Sequence, residues 1–170
     1  TVYTRDVDGG VMITGSHNPP DHNGFKICLG KGTLFGSQIQ EIKEIAFSGD
    51  FASGSGSVET IEVLDEYCRD IVSGIRLGPR KIKAVIDAGN GTGGEVAVPL
   101  FRAMGFDVVP LFCEMDANFP NHHPDPTVLK NLEDLIKAVK QHQAEVGIAY
   151  DGDSDRIGVI DDQGNVLWGD

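Results

Sequence analysis

The second half of the chain alternates apolar runs with amphipathic segments, and this alternation constrains the fold more than any other feature. Apolar runs lie at residues 81–87, 108–112 and 146–150. Between them, segments 96–104 and 129–139 repeat apolar residues with the period of a helix. This strand–helix–strand–helix–strand order predicts a mostly parallel sheet with helices packed on it and right-handed crossovers.

The first half predicts fewer strands. Two short apolar runs, 11–14 and 25–29, predict strands on either side of a loop rich in Asn and Pro. A helix is predicted after Ser37, where Ser37-x-x-Gln40 resembles a capping box, and a second helix over residues 64–75.

Glycine and proline interrupt the pattern near residues 74–80, and we place a domain boundary there. The predicted domains are 1–76 and 77–170, and the second ends in a hairpin at residues 156–168. The predicted fold class is α/β, with mixed or parallel sheets layered with helices in two small or partial domains. The first domain has few strands for an independent sheet, and the chain begins at Thr1 rather than Met. We therefore expect preceding sequence to be missing.

The charge of the chain limits its partners. With 26 acidic and 14 basic side chains the formal net charge is −12, which argues against nucleic acid or an anionic membrane as a partner. No apolar stretch is long enough to span a membrane, and no signal peptide is visible. The 3 cysteines are far apart and form no C-x-x-C, so we expect a reducing cytoplasm rather than a disulfide framework.

Three aspartates, Asp151, Asp153 and Asp155, stand between two predicted strands. Alternate positions of an extended loop face the same side, so the three carboxylates are expected to converge. Like charges that close repel unless a cation lies among them, and hard carboxylate oxygens favour Mg²⁺ or Ca²⁺. The alternative is a solvated acidic turn. An EF-hand is not predicted, because Arg156 and Asp162 stand where that loop needs Gly and Glu.

A glycine-rich loop follows the predicted strand that ends at Asp87. Its spacing, Gly89-x-Gly91-x-Gly93-Gly94, departs from the G-x-G-x-x-G of dinucleotide-binding loops. We therefore interpret these glycines as a means of packing a strand closely against the helix that follows it.

Ser16 lies in the loop between the first two predicted strands. Taken alone, a loop serine is most often a turn residue. The sequence around it, Thr14-Gly15-Ser16-His17-Asn18, is not the G-x-S-x-G of a hydrolase. Neighbouring side chains diverge in an extended chain, so His17 is predicted to be a poor general base for Ser16. A serine that carries a phosphoryl group needs no such base, but it does need a metal and a polar pocket. That requirement would connect Ser16 with the acidic loop.

Two motifs carry a family resemblance. Residues 14–20, Thr-Gly-Ser-His-Asn-Pro-Pro, followed by Asn-Gly-Phe-Lys-Ile at 23–27, resemble the phosphoserine loop of the α-D-phosphohexomutases. Residues 151–156, Asp-Gly-Asp-Ser-Asp-Arg, resemble the magnesium loop of that family, with Ser154 where Gly is commoner. The run Asn-Phe-Pro-Asn-His-His-Pro-Asp-Pro at 118–126 is most similar to the bacterial phosphomannomutase/phosphoglucomutase subgroup. The resemblance covers essentially the whole chain.

The resemblance implies a reaction and a metal. Ser16 would be phosphorylated at rest and would interconvert hexose 1-phosphate and hexose 6-phosphate through a bisphosphorylated sugar, with hexose 1,6-bisphosphate as primer. Mg²⁺ would be held by an oxygen on Ser16 and by Asp151, Asp153 and Asp155.

The resemblance also assigns roles to four further residues. Lys26 matches the proposed general acid/base, and His17 would line the site of phosphoryl transfer. Arg156 and Asn18 would contribute to substrate binding. His122 and its neighbour His123 are expected to order their own loop rather than to bind metal.

Members of this family have four domains, and this chain resembles the latter part of the first and most of the second. The active site is expected in the cleft between domains, and domains 3 and 4 would be missing. Because only Lys26, Arg156 and Arg5 supply positive charge near the motifs, we expect the fragment alone to be inactive on sugar phosphates. The alternatives are a phosphoglucosamine mutase, or a non-catalytic metal-binding or interaction module that retains the fold.

Overall fold

The computed structural model describes residues 2–169, which fall into two compact units. The first unit comprises Thr1–Thr14 and Asn23–Ile61, and the second comprises Gly15–His22 and Glu62–Asp170. The segment that contains Ser16 is therefore part of the same unit as the acidic loop, although most of the sequence around it belongs to the other unit.

The first unit is a small antiparallel sheet with one helix. Its strands are β1 (Gly9–Ile13), β2 (Phe25–Leu29) and β3 (Gly32–Thr33), in the order β1-β2-β3, and its helix is α1 (Ser37–Ser48). Both longer strands lie close to their predicted positions. Among the described residues, all the buried hydrophobic side chains that form the core belong to the second unit.

Two details of the first unit differ from the sequence prediction. The N-cap of helix α1 is Gly36, whose φ is 57°, and no side chain caps the helix, so the predicted capping box at Ser37 and Gln40 is wrong. The short strand β3 was not predicted, because two residues cannot carry an alternating pattern.

The second unit is a five-stranded mixed sheet with helices. Strand order is β5-β4-β6-β7-β8, with β5-β4-β6 parallel and β6-β7-β8 antiparallel. This confirms the predicted α/β class and the terminal hairpin. In chain order the elements are α2 (Leu64–Gly74), β4 (Lys83–Asp87), α3 (Gly93–Ala103), β5 (Asp107–Leu111), a 3-10 turn (Leu129–Leu132), α4 (Glu133–His142), β6 (Val146–Tyr150), β7 (Ile157–Asp161) and β8 (Val166–Leu167).

Both faces of this sheet are buried, because successive side chains of a strand point to opposite faces. On one face Val85 packs with Leu135 and Val139 of α4. On the other face Ile86 packs with Ala97 of α3 and other buried residues. The sheet is thus the middle layer of an α/β/α sandwich, as the near-continuous apolar runs of β4 and β6 require.

The glycines after β4 allow close approach of the backbone, as predicted. A Cβ on Gly91 would come within 2.8 Å of the Gly152 carbonyl oxygen, and a Cβ on Gly94 would collide with the Cys113 carbonyl oxygen. In the described part of the chain, no helix is long and apolar enough to cross a bilayer.

Candidate functional site

The candidate site is built from two loops at one edge of the second unit's sheet. Strands β4 and β6 are parallel neighbours, so the loops that follow Asp87 and Tyr150 leave the sheet at the same edge. Thr92 joins the two loops, because its backbone N–H and its hydroxyl both donate to the Gly152 carbonyl oxygen, at 3.0 and 3.1 Å.

The three aspartates of the acidic loop converge. One carboxylate oxygen from each of Asp151, Asp153 and Asp155 lies within 4.8 Å of the other two. The loop is a turn rather than the extended segment that we expected, because Ser154 adopts φ 63° and donates its N–H to the Asp151 carbonyl oxygen at 3.0 Å. The three carboxylates converge as predicted, but the positive φ of Ser154, and not an extended backbone, brings them together.

Asp151 is fully buried and both of its carboxylate oxygens accept hydrogen bonds. Oδ1 accepts the backbone N–H of Arg156 at 3.0 Å, which closes the loop on itself. Oδ2 accepts the hydroxyl of Ser16 at 2.9 Å. The predicted association of Ser16 with the acidic loop is therefore a direct contact.

The Ser16 loop is held in place by its own turns and by a glycine of the acidic loop. Asn18 N–H donates to the Gly15 carbonyl oxygen at 2.9 Å, and Ser16 has φ 52°. The Ser16 carbonyl oxygen lies where a Cβ on Gly152 would be, so only glycine allows this approach. Two left-handed serines, Ser16 and Ser154, thus flank the contact, and backbone strain of this kind is typical of functional sites.

His17 contacts Ser16, contrary to the expectation that their side chains diverge. The Ser16 Oγ lies 3.1 Å from His17 Nδ1, because the left-handed backbone of Ser16 folds the neighbouring side chains together. Arg156 Nη1 lies 3.4 Å from His17 Nε2. A guanidinium can only donate, so Nε2 accepts and Nδ1 carries the proton that it donates to the serine oxygen.

A chain of donors therefore runs from Arg156 through His17 to Ser16 and ends on the buried carboxylate of Asp151. In this arrangement His17 is a hydrogen-bond donor to the serine oxygen and cannot take its proton.

The two remaining predicted site residues belong to different units. Lys26 is an exposed residue of β2 in the first unit, where it pairs with Met12 across the sheet. Asn18 belongs to the Ser16 loop, where its side chain is exposed.

Asp125 is a site residue that the sequence prediction missed. Burial raises the pKa of this carboxyl group, but hydrogen bonds from the Thr127 hydroxyl and N–H, at 2.7 and 3.0 Å, together with the positive charge of Arg156 and the nearby His17, hold the pKa below its ordinary value. The signals in the sequence were its position between two prolines, Pro124 and Pro126, and its place in the run at 118–126 that carries the family resemblance.

The donor set of the acidic loop fits a hard divalent cation. It offers three carboxylates, one of them buried, with converging oxygen atoms, and no nitrogen or sulfur ligand stands among them. Ser16 Oγ lies beside one of these carboxylates, where an oxygen bound to the serine would be a further hard ligand.

Comparison with known proteins gives matches to two family models. Residues 65–164 match the phosphoglucomutase/phosphomannomutase α/β/α domain II, and residues 1–53 match α/β/α domain I of the same family. The fold of the second unit and the two matches define the class as α/β/α domains of this family. The chain belongs to the phosphoglucomutase/phosphomannomutase family.

Relatives support the same assignment. The chain is 50% identical over 161 residues to a phosphomannomutase/phosphoglucomutase of Pseudomonas putida, covering 95% of this chain and 35% of that protein. It is 51% identical over 163 residues to a phosphoglucomutase of Neisseria meningitidis serogroup B, with the same two coverages. A crystal structure of a phosphoglucomutase/phosphomannomutase family protein from Burkholderia thailandensis superposes with a TM-score of 0.92 at 47% identity, covering 96% of this chain and 36% of that one. The chain therefore spans about a third of the length of the relatives that it matches.

Proposed function

We propose that this chain carries the phosphoserine loop and the metal loop of a longer phosphotransferase that interconverts hexose 1-phosphate and hexose 6-phosphate. The observation that carries the proposal is the 2.9 Å hydrogen bond between Ser16 Oγ and Asp151 Oδ2, because it joins the two motifs of the family in one site. The names of the relatives agree with this class of reaction.

Ser16 is the proposed carrier of the phosphoryl group. In the forward half-reaction the bond between phosphorus and Ser16 Oγ breaks while a bond between phosphorus and a sugar hydroxyl oxygen forms, so the serine oxygen gains negative charge. His17 Nδ1–H is already directed at that oxygen at 3.1 Å, and Arg156 holds the imidazole in the tautomer that donates. These two residues therefore favour departure of the phosphoryl group by stabilising the oxygen that it leaves.

Asp151, Asp153 and Asp155, with an oxygen on Ser16, would hold Mg²⁺. When bound, Mg²⁺ would offset negative charge on the phosphoryl group and on the serine oxygen. The protein itself orients Asp151: its Oδ1 accepts the Arg156 N–H, and its Oδ2 accepts the Ser16 hydroxyl.

Lys26 is proposed as the general acid/base for the sugar hydroxyl and Asn18 as a substrate-binding residue, both from the family resemblance. The rest of the longer protein would supply sugar recognition and most of the positive charge for the phosphates. We accordingly propose that the 170-residue chain alone does not turn over hexose phosphates, even with Mg²⁺ and hexose 1,6-bisphosphate.

Mass spectrometry and kinetics on the full-length protein test this function. Phosphate should be found on Ser16, and Ser16→Ala should abolish turnover of mannose, glucose and glucosamine phosphates, while the exposed Ser57→Ala should retain it. Metal binding without phosphate on Ser16, and turnover that survives Ser16→Ala, would instead indicate a module that keeps the fold without this chemistry.

A further inference from the structure

We propose that His122 and Asp87 form a buried ion pair whose role is to position the metal loop, acting through Pro124 and Gly152. Nothing in the reaction described above uses either residue. The inference rests on the proposed function for its catalytic consequence, but its structural part can be tested without any turnover.

The two side chains lie within hydrogen-bonding distance and are almost completely buried. His122 Nε2 lies 3.1 and 3.3 Å from the two carboxylate oxygens of Asp87, whose side chain is 0% exposed while that of His122 is 14% exposed. Gly89 N–H donates to Asp87 Oδ1 at 2.9 Å, and Phe112 packs edge-on against the imidazole at 5.4 Å between ring centres. Both partners are therefore fixed by further contacts.

Both ring nitrogens of His122 face atoms that can only accept. Nε2 faces the Asp87 carboxylate, and Nδ1 lies 3.0 Å from the His123 carbonyl oxygen. A neutral imidazole has one N–H and could satisfy only one of these contacts. Satisfying both requires the doubly protonated imidazolium, which makes the contact with Asp87 a charge-assisted bond.

The surroundings of His122 favour that charged form. Burial lowers the pKa of His122, but the hydrogen bond to Asp87, the bond to the His123 carbonyl oxygen and the charges of Asp87 and Asp134 outweigh burial and raise the pKa above its ordinary value. The other charged or titratable groups lining the same cavity are His123, Lys130, Glu133 and Lys137. Lys137 is engaged with Asp134 at 2.9 Å.

Pro124 connects this pair to the metal loop. It is fully buried two residues after His122. A Cβ on Gly89 would lie 3.1 Å from both the Pro124 Cβ and the His122 Cε1, and Gly89 has φ 51°, so the pair and the proline are packed on the same glycine. On its other side, Pro124 Cγ would lie 3.6 Å from a Cβ on Gly152.

Gly152 connects this packing to Asp151 and Ser16. It follows Asp151 directly, and a Cβ on it would collide with the Ser16 carbonyl oxygen. If the ion pair is lost, Pro124 is no longer held against Gly89, and Gly152 loses the support that keeps Asp151 facing Ser16. Because phosphoryl transfer depends on the placement of these groups, a small displacement there is costly.

The pair also makes this support depend on pH. A group whose pKa is raised in the folded protein contributes its full stabilisation below the unfolded pKa and loses it as the pH rises through the folded pKa. The support of the metal loop should therefore weaken on the alkaline side, when the imidazolium loses its proton and one of its two acceptors is left without a donor.

The first test is NMR of the histidine side chains in the full-length protein. Both ring nitrogens of His122 should carry protons at pH 6, and both should remain protonated at a pH above the ordinary pKa of a histidine. A neutral His122 at pH 6 would overturn the proposal, and this measurement needs no variant.

The second test compares His122→Gln with His123→Gln as the matched control. His122→Gln should lower Mg²⁺ affinity, measured by calorimetry, by about 10-fold, the low end of what loss of a supporting partner costs a metal site. It should also lower kcat with little change in the KM for the sugar phosphate, and abolish the alkaline limb that His122 contributes to the profile of kcat against pH. His123→Gln should change none of these, and unchanged Mg²⁺ affinity in a folded His122→Gln protein would refute the positioning role.

Pro124→Ala tests the connection itself. It should reproduce the loss of Mg²⁺ affinity while leaving the NMR signals of the protonated His122 in place. Full Mg²⁺ affinity in Pro124→Ala would exclude this route from the ion pair to the loop. If wild-type protein lacks mutase activity, the proposed function fails, whereas the NMR and calorimetric results still decide the present inference.

Discussion

The hydroxyl of Ser16 donates a 2.9 Å hydrogen bond to the buried carboxylate of Asp151, although 135 positions separate the two residues in the sequence. The same serine presents its carbonyl oxygen to Gly152, so its backbone and its side chain both lie against the acidic loop. This double contact explains why the segment 15–22 belongs to the second unit rather than to the strands on either side of it.

Asp153→Asn should weaken Mg²⁺ binding and phosphoryl transfer in the full-length protein while leaving the fold intact. The change removes one of three converging carboxylates but keeps the shape of the side chain. We expect Mg²⁺ affinity, measured by calorimetry, to fall by at least ~10-fold, since loss of a mere supporting partner already costs about that much. Asp162→Asn, on the turn of the terminal hairpin, is the matched control. Unchanged affinity and activity in Asp153→Asn would show that this loop is not the metal site.

Gly152→Ala should destabilise the protein and disturb the site together. The added Cβ would collide with the Ser16 carbonyl oxygen, a backbone atom that cannot rotate away. Overpacking of this kind typically costs about 1–3 kcal/mol, and it should appear as a lower Tm and weaker Mg²⁺ binding. Gly54→Ala, where a Cβ meets nothing within 4 Å, should leave both unchanged. A Gly152→Ala protein as stable as the wild type would contradict the close approach.

Ser154→Gly should make the protein more stable. Ser154 adopts φ 63°, which strains any residue with a Cβ, and its hydroxyl is buried with no hydrogen-bond partner among the described residues. Relief of both should outweigh the greater freedom of glycine in the unfolded chain, for a net gain of about 1 kcal/mol. Thermal unfolding measures the effect, with the exposed Ser57→Gly as a control that should bring no gain. A lower Tm for Ser154→Gly would show that the hydroxyl contributes a contact of its own.

Asp125→Asn should reduce stability at neutral pH but not in strong acid. Burial raises the pKa of Asp125, but the bonds from Thr127, the nearby His17 and the positive charge of Arg156 lower it below the ordinary value. The stabilisation is therefore present above the unfolded pKa and is lost as the pH falls through the folded pKa. Profiles of Tm against pH for wild type and variant should separate at neutral pH and merge at the acidic end, and Asp162→Asn should follow the wild type. A constant difference across the range would exclude an electrostatic role.

Local patterns predicted most of the fold. The strand at residues 146–150 and the strand at residues 25–29 were placed within their observed bounds, because a run of apolar residues between turn signals leaves few alternatives. The terminal hairpin was predicted for the same reason. The prediction of a capping box at Ser37 was wrong. Gly36, which has a positive φ, is the N-cap of that helix, and the side chains that resemble a cap do not cap it.

The sequence predicted residues of the candidate site but not their geometry. Periodicity assumes an extended backbone, and two serines violate that assumption: Ser16 at φ 52° brings His17 onto its hydroxyl, and Ser154 at φ 63° folds the three aspartates together. The sequence does not indicate that a serine has a positive φ, since glycine is the residue that usually signals such a conformation.

The sequence by itself determined the α/β alternation of the second unit, the positions of the Ser16 loop and the acidic loop, and the chemistry of their side chains, because these depend on neighbours a few residues apart. Only the tertiary structure decided that Ser16 reaches Asp151, that His17 donates to Ser16, and that His122 and Asp87 form a pair. These contacts depend on how the parallel strands β4 and β6 bring distant loops to one edge of the sheet. A local sequence pattern does not show which distant loops come together.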